Sequence, residues 1–389
     1  MVGEGVSGEQ QAAVSDGRTT LTGFPEIRAG VSAGPVPRLL FGILLALSST
    51  GCGTDERLSS EASGFAEAEA NGFDREMLAS AYASAGRIEG IKSLLVSRSG
   101  VLVTEEYFGS QAPDSLHDVR SVTKSVTSIL VGIAIDKGYL QNVDQPIVDY
   151  LGSMTDAFDA DRRKITIRHL LSMCSGFRWA GFGDWSDYGN WRNAADQGAY
   201  VLGRELAHRP GEQFTYNDAA CHLLSIILSK ASGMDTRDFA DRFLFGPLGI
   251  GHRPWAVDKQ AFRLGSVGLY LSAQDMVKLG RLCLQNGTFD GHEVVSEQWV
   301  ATSTAEQIST GLSVPYGSGY GYLWWVDRAG SHRVFYANGY GGQFIFVVPD
   351  LELVVTAACT WTVGDSLANE NWGRILNVIT KGIVPAVRA

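Results

Sequence analysis

Alternating hydrophobic and polar positions near both ends of the folded region predict β-strands, whereas the middle of the chain shows helical periodicity. The runs IKSLLVSR and VLVTEEYFG lie on either side of Arg98-Ser99-Gly100 and predict a hairpin. From Tyr320 onward, the runs GYLWWVD, HRVFYANG, GGQFIFVVPD and LELVVTAACTW predict consecutive strands separated by turn residues. A last helix is predicted at about 366–382.

The segment from Asp118 to Gly138, DVRSVTKSVTSILVGIAIDKG, predicts an amphipathic helix that ends at Gly138. Between residues 140 and 320, TIRHLLSMCSGF, DQGAYVLGRELAHRPG, DAACHLLSIILSKASG and SAQDMVKLGRLCLQNG predict helices, with an aromatic loop, FRWAGFGDWSDYGNWRN, among them. This order predicts an α/β (α+β) fold, in which helices flank an antiparallel β-sheet and a large, mainly helical insert occupies about 140–320. The N-terminal strand pair joins that sheet only if the chain returns to it.

The N-terminal region carries a separate signal. Arg38 precedes the apolar run from Leu39 to Leu47, and small residues then lead to Cys52. This run is too short to span a bilayer and is typical of a secretory signal peptide, with a short buried apolar segment as the alternative. The Gly-Cys pair at its end resembles the lipobox at which bacterial lipoproteins are cleaved and lipidated.

We therefore expect an exported periplasmic or cell-envelope protein anchored by its lipidated cysteine. Residues 1–52 would form the signal and lipoprotein segment, 53–73 a flexible tether and 74–389 the folded domain. The region ahead of the apolar run is long for a signal peptide, so translation is expected to begin near Val31 or Val36.

The net charge and the spacing of the histidines argue against several classes of function. The formal net charge is −10 and there is no basic stripe, which argues against a nucleic-acid partner. The folded domain expected at 74–389 contains no Gly-x-Ser-x-Gly motif and no His-Glu-x-x-His motif, so neither a serine–histidine elbow nor a metal mechanism is indicated there, and no cofactor is expected. The widely spaced cysteines leave disulfide pairing open. A small-molecule substrate is therefore the expected partner. Contact with a membrane is expected only through the N-terminal lipid anchor.

Ser121 and Lys124 are the first candidate catalytic pair. Their i, i+3 spacing places them on one helix face, within reach of each other. A buried lysine can activate a serine hydroxyl, and the N-terminus of a helix favours an oxyanion. Ser-x-x-Lys is common by chance, however, and a capping serine with a surface lysine is the alternative.

Two later stretches support the catalytic interpretation. RPGEQFTYNDAACHLL places Tyr216 after a turn and directly before a helix. YANGYGGQFIFVVPD places glycines where a backbone can approach a ligand closely. In this order, the three motifs resemble the serine β-lactamase and penicillin-binding protein superfamily, in particular its class C-like branch of β-lactamases, esterases and 6-aminohexanoate-dimer hydrolases. The resemblance covers roughly residues 90–382 and implies a β-lactamase/transpeptidase-like fold.

The resemblance also implies a role for each residue. Ser121 would form the acyl-enzyme, Lys124 would be the partner base, and Tyr216 would carry a proton to and from the leaving group. The oxyanion hole would combine the backbone N–H of Ser121 with that of Tyr340 or a neighbour.

The chain departs from the family pattern at Asp218, where Tyr-x-Asn is usual. If Asp218 lies near Lys124, it favours the ammonium form, and Tyr216 as a phenolate becomes the expected proton acceptor. The alternative is that Asp218 caps the following helix.

A second departure concerns the substrate. The family's Lys-Thr-Gly motif is replaced here by Tyr340-Gly341-Gly342, which weakens the case for β-lactams and favours a carboxylic ester or small amide. The aromatic loop could line an acyl pocket, with Trp185 and Tyr188 the principal candidates, or could serve only in packing. A β-lactam or D-Ala peptide hydrolase is the second interpretation, and a catalytically silent binding lipoprotein the third. The loop's aromatic residues are Trp179, Phe182, Trp185, Tyr188 and Trp191.

Overall fold

Both ends of the folded region meet in one antiparallel sheet. A computed structural model describes residues 67–181, 184–312 and 317–388. The expected signal segment and the first part of the expected tether lie outside these described residues. The strands are β1 Ile91–Arg98, β2 Val101–Tyr107, β3 His117–Asp118, β4 Tyr270–Leu271, β5 Thr288–Phe289, β6 His292–Glu293, β7 Ile308–Ser309, β8 Gly319–Tyr320, β9 Trp325–Ala329, β10 His332–Gly339, β11 Gln343–Val348 and β12 Leu353–Cys359.

The main sheet has eight strands in the order β2-β1-β12-β11-β10-β9-β8-β7. Its centre is buried, since every residue of β11 and β12 is buried, and all of these residues except Gln343 and Thr356 are apolar. Because β1 pairs antiparallel with β12, the chain does return to the sheet that its N-terminal hairpin began. The predicted antiparallel sheet is therefore confirmed.

Helices surround this sheet. The α-helices are α1 Arg75–Ala85, α2 Val122–Asp136, α3 Val148–Leu151, α4 Ile167–Leu171, α5 Ser186–Asn193, α6 Gln197–Leu202, α7 Asp218–Ser232, α8 Thr236–Ala240, α9 Ala273–Leu284, α10 Glu297–Ser303 and α11 Asp365–Asn377. Short 3₁₀ segments are Gly152–Thr155, Arg162–Lys164, Pro349–Leu351 and Val384–Ala386, and π-helical turns are Asp241–Phe245 and Val378–Ile383. Within the described ranges, no helix is long and apolar enough to cross a membrane.

Local signals account for several of these elements. The β1–β2 turn contains only Ser99 and Gly100, both with positive φ, as a tight hairpin requires. Helix α2 ends where Gly138, with φ +75°, reverses the chain. Helix α7 begins at Asn217, whose side chain accepts a hydrogen bond from Ala220 N at 2.9 Å, and ends at Gly233 in the left-handed conformation.

Four expectations differ from the structure. The flexible tether expected at 53–73 does not extend to residue 73, since Ala68 and Phe73 are buried in the core. The expected insert is also smaller, because α9 packs on the sheet and 308–320 supplies its edge strands. Only the end of GYLWWVD forms a strand, since β9 begins at Trp325, after a turn at Leu323 with φ +62° that follows β8. The aromatic loop contains α5, whose Asp187 is anchored by Arg204 at 2.9 Å.

Gly280 allows α9 to lie directly on the sheet. A Cβ atom at this position would lie 2.4 Å from Val354 Cγ1 and 3.0 Å from Ile345 Cγ2. The helix therefore packs so closely that one added methyl group would displace it.

We predict that Gly280→Ala lowers the free energy of unfolding by about 1–3 kcal/mol, because overpacking outweighs the better helix propensity of alanine. Urea denaturation measures this difference. Gly373→Ala in α11 is the matched control, since no atom lies within 4 Å of its added Cβ. Equal stability of the two variants would contradict the close packing of α9.

Candidate active site

The turn before Ser121 is held in a strained conformation. Arg120 has φ +50°, which is uncommon for a residue with a side chain. Asp118 stabilises this turn, because its Oδ1 accepts from Arg120 N at 2.9 Å and its Oδ2 from Arg120 Nη1 at 3.3 Å. The end of β10 closes against the same turn, since a Cβ at Gly339 would lie 2.4 Å from Val119 O. Ser121 is therefore fixed where the helix meets the sheet.

Ser121 does not use its side chain to cap α2, and Lys124 is not a surface residue. The Ser121 hydroxyl makes no capping hydrogen bond, and Lys124 is only 1% exposed. Lys124 Nζ donates to Ser121 Oγ at 2.8 Å. The capping-serine alternative is therefore wrong, and the spacing does bring the two groups into contact.

The ammonium of Lys124 has three acceptors, one for each of its N–H bonds. Besides Ser121 Oγ, these are Asp218 Oδ1 at 2.7 Å and the Ser266 carbonyl at 3.1 Å. An ammonium group has three donors and no acceptor. This arrangement therefore fits the charged lysine with all of its hydrogen bonds made.

Asp218 forms a buried ion pair and does not cap α7. Asn217 provides the cap, whereas Asp218 is the first helical residue and is 4% exposed. Of the two alternatives for Asp218, the structure therefore supports the one in which it faces Lys124.

Burial and neighbouring charges together determine the pKa values of Lys124 and Tyr216. Burial lowers the pKa of Lys124, but Asp218 and the neighbouring groups raise it by more, so the net pKa is raised. Burial raises the pKa of Tyr216, Lys124 lowers it and Asp218 raises it, and the net result is again a raised pKa. These raised pKa values favour an ammonium at Lys124 and a neutral phenol at Tyr216. The expected resting phenolate at Tyr216 is not favoured by these surroundings.

Aromatic rings position Tyr216 over the lysine. Lys124 Nζ lies 4.8 Å from the centroid of the Tyr216 ring. Trp325 stacks on this ring with a centroid separation of 5.8 Å, and Tyr320 meets it edge-on at 6.4 Å. A hydrogen bond with the Ser121 side chain also lowers the pKa of Tyr216.

Ser121 lies at a cavity of about 320 Å³. This cavity brings together most of the predicted site residues, namely Ser121, Trp185, Tyr188, Tyr216, Asp218, Tyr340 and Gly341. Lys124 lies behind them, in contact with Ser121. Gly342 is not part of the lining, since a Cβ there would lie 2.5 Å from Ile375 Cδ1, in the core.

The predicted oxyanion residue Tyr340 lies in the β10–β11 turn, beside the cavity. Its hydroxyl donates to Asp365 Oδ1 at 2.5 Å, and its ring meets Trp185 edge-on at 5.9 Å. Gly341 allows this turn to pass closely over the backbone, since a Cβ there would lie 2.5 Å from Thr360 O. Ser121 and Tyr340 therefore face the same space, as a two-donor oxyanion hole requires.

The aromatic segment divides between pocket and core. Trp185 and Tyr188 line the main cavity, and Trp179 lines a small adjoining pocket with them. Trp191 is fully buried, and its Nε1 donates to the Gln197 carbonyl at 3.2 Å, so its role is packing. Phe182 lies outside the described residues.

Sequence reasoning missed several cavity residues. Arg120 lines the cavity, with its guanidinium 4.5 Å from the Trp361 ring centroid and Nη2 donating to Tyr188 at 3.3 Å. Its position next to Ser121 was the only signal in the sequence. Helix α11 also contributes a wall, for which the sequence offered no motif. Its lining residues are Asp365, Ala368, Asn369 and Trp372.

The described residues contain neither a metal-binding cluster nor a disulfide bond. Among the described residues, no group of His, Cys, Asp and Glu side chains is placed to hold a metal ion. Four buried cysteines carry free thiols, which answers the open disulfide question for these residues. They are Cys174, Cys221, Cys283 and Cys359.

Comparison with known proteins identifies the family to which this site belongs. Residues 76–379 match the family model described as Beta-lactamase. The chain belongs to the beta-lactamase family. A 6-aminohexanoate-dimer hydrolase from Paenarthrobacter ureafaciens is 25% identical over 300 residues, which is 70% of this chain and 74% of that protein.

Solved structures show the same fold. A penicillin-binding protein from Bacillus halodurans has a TM-score of 0.60 at 17% identity, covering 75% of this chain and 98% of that one. EstCE1, described as a hydrolase with promiscuous acyltransferase activity, has a TM-score of 0.62 at 18% identity, covering 82% and 98%. The predicted β-lactamase-like fold and family are confirmed, and the chain is related to hydrolases of the beta-lactamase type.

We predict that Asp218→Asn moves the acid limb of the pH–activity profile to lower pH by about one to three units. The Asp218 charge raises the pKa of both Lys124 and Tyr216, so its removal lowers both values, whichever of the two accepts the proton. Because Lys124 and Tyr216 titrate together, they appear as a single acid limb in the pH profile of kcat/KM.

Asp275→Asn is the control, because it alters another buried carboxylate, whose partners are Arg253 at 2.7 Å and the backbone N–H of Ser272 rather than Lys124. This variant should leave the limb in place. An unchanged limb in Asp218→Asn would remove Asp218 from the mechanism.

Proposed function

We propose that this protein is a serine hydrolase that forms an acyl-enzyme on Ser121 and hydrolyses a carboxylic ester or small amide. The observation that carries the proposal is the contact between Ser121 Oγ and Lys124 Nζ, 2.8 Å apart beside the cavity. The adjacent phenol of Tyr216 supplies a second proton-transfer group.

In the proposed acylation step, Ser121 Oγ attacks the substrate carbonyl carbon and its proton passes to the Tyr216 oxygen. All three Lys124 N–H bonds already donate, so Lys124 acts first as a fixed positive charge. The reactive form is the cluster that has lost one proton, and its population rises with pH. Collapse of the tetrahedral intermediate then transfers the proton from Tyr216 to the departing alcohol or amine, and water deacylates the serine by the reverse transfers.

Aromatic side chains around the cavity support an ester or small amide with an apolar group. Trp185, Tyr188, Tyr340 and Trp372 contribute to the lining, and the turn carries tyrosine where the family has the motif lysine. Relatives named as a 6-aminohexanoate-dimer hydrolase and as a promiscuous acyltransferase-type hydrolase are consistent with an amide or ester.

One observation favours a second candidate, a β-lactam or D-Ala peptide hydrolase. Arg120 places a guanidinium at the cavity, where it could receive a substrate carboxylate. Its hydrogen bonds to Asp118 and Tyr188 already engage two of its nitrogens, so we rank this candidate second.

We predict that a fluorophosphonate probe labels Ser121, and that p-nitrophenyl butyrate is turned over faster than a chromogenic cephalosporin or a D-alanyl peptide. Mass spectrometry locates the adduct, and initial rates give the three values of kcat/KM. Ser121→Ala should lose both labelling and turnover, with unchanged thermal stability as its control for folding.

Faster cephalosporin turnover would reverse the ranking of the two substrate classes. A folded protein without any adduct at Ser121 would instead favour a catalytically silent binding protein.

We also propose that the mature protein is exported and lipid-anchored at Cys52. The apolar run and the Gly-Cys pair of the sequence support this proposal. Intact-mass analysis of the native protein should find a lipidated N-terminal cysteine, and Cys52→Ala should release the protein from membranes. Peptides from residues 1–30 in the mature protein would contradict it.

A further inference from the structure

A buried histidine–carboxylate pair lies behind the active site. His222 follows Asp218 by one turn of α7 and is fully buried, and Asp258 is 6% exposed. His222 Nε2 lies 3.0 Å from Asp258 Oδ2, and Gly265 N donates to His222 Nδ1 at 3.2 Å. Because Nδ1 accepts a hydrogen bond, the ring proton resides on Nε2 and points to Asp258. The pair thus fixes one tautomer of a neutral imidazole.

The pair holds both ends of the segment that leads to Ser266. Asp258 Oδ1 accepts from Gln260 N at 2.9 Å and from Phe262 N at 2.8 Å, which shapes the start of the segment. His222 holds its end through Gly265 N. A Cβ at Gly265 would lie 3.2 Å from the Cys221 carbonyl, so the segment lies directly on α7.

The next two peptide groups contact α2, and the second of them contacts Lys124. The Gly265 carbonyl accepts from Thr127 Oγ1 at 2.8 Å, and the Ser266 carbonyl accepts from Lys124 Nζ at 3.1 Å. Both donors lie on α2, the helix that begins after Ser121. Hydrogen bonds therefore run from Asp258 through His222 to Gly265 N, and the backbone then leads over one residue to the Ser266 carbonyl, the third acceptor of the Lys124 ammonium.

We propose that His222 and Asp258 are positioning residues that keep the Ser266 carbonyl on Lys124 and so aim the ammonium at Ser121. This inference rests on the proposed acyl-enzyme chemistry. A shift in the carbonyl would let Lys124 rotate toward Asp218 and away from Ser121 Oγ. Misplacement of a catalytic group by a fraction of an ångström to one ångström slows a reaction roughly up to a hundredfold.

Asp258 must accept a hydrogen bond from His222 Nε2, so an amide of the same size cannot replace its carboxylate. An asparagine at 258 can still accept from Gln260 and Phe262, but its NH₂ group then faces His222 Nε2. The imidazole must move its proton to Nδ1, which points at the Gly265 N–H, so two donors meet and the contact to the segment is lost. A glutamine at 222 provides one acceptor and one donor, and so preserves both contacts.

The test measures the rate at which a fluorophosphonate labels Ser121, together with kcat and KM for p-nitrophenyl butyrate. We expect Asp258→Asn and His222→Leu to slow labelling and lower kcat roughly ten- to hundredfold with KM unchanged. We expect His222→Gln to label nearly as fast as the unsubstituted protein.

Thr236→Val is the matched control for a lost buried tether of α7. Thr236 Oγ1 lies 2.9 Å from Ser225 Oγ and donates to the Ser225 carbonyl at 3.1 Å, on the same helix as His222. This variant should lower the melting temperature without slowing the labelling of Ser121.

Wild-type labelling rates in folded Asp258→Asn, or equal slowing in Thr236→Val, would overturn the positioning role while leaving the proposed function intact. If Asp258→Asn does not fold, equal labelling rates for His222→Gln and His222→Leu would overturn it. Failure of the unsubstituted protein to label at all would overturn the proposed function, and the inference with it.

Discussion

The buried ion pair between Lys124 and Asp218 is the interaction on which the site depends. Taking both charges out of water costs several kcal/mol per ion, and this cost is recovered only when geometry is good and the remaining hydrogen bonds are made. Here the ammonium is satisfied by groups from α2, from α7 and from the segment before β4. Those three parts of the chain must therefore be in place before the charges can be buried, which couples the assembly of the site to that of the fold.

Sequence reasoning located the elements whose signals are local. The Ser99-Gly100 turn defined the first hairpin, and helical spacing alone placed Lys124 against Ser121. The resemblance to a known family supplied Tyr216, whose position beside the lysine the structure shows. The sequence left two alternatives for Asp218, because a carboxylate at a helix start can cap the helix or pair with a cation. Neighbouring Asn217 provides the cap, which leaves Asp218 for the lysine.

Features that depend on distant segments could not be predicted in this way. The third acceptor of Lys124 is a backbone carbonyl, which any residue at 266 would offer, so no residue type marks it. His222 and Asp258 are 36 positions apart, and only the fold brings them together. The strained turn at Arg120 is similar, since the interactions that stabilise it include Asp118 and the close approach of Gly339 from a strand more than 200 positions away. Local patterns thus identify the candidate reacting groups, whereas the groups that contact them from distant segments emerge only from tertiary packing.

The carboxylate at position 218 affects the cavity in two opposing ways. It stabilises a buried ammonium that would otherwise lose its proton, since burial alone lowers the pKa of Lys124. The same charge raises the pKa of Tyr216 and so makes the neighbouring phenol harder to ionise. An amide at this position would relieve both effects, with a more reactive but less firmly held lysine as the consequence. Because the ammonium donates to Ser121 Oγ, the serine proton must point elsewhere, and in the proposed mechanism the phenol of Tyr216 receives it. In the proposed mechanism, the ion pair therefore gives the serine proton a direction, but the cluster must lose one proton before it can react.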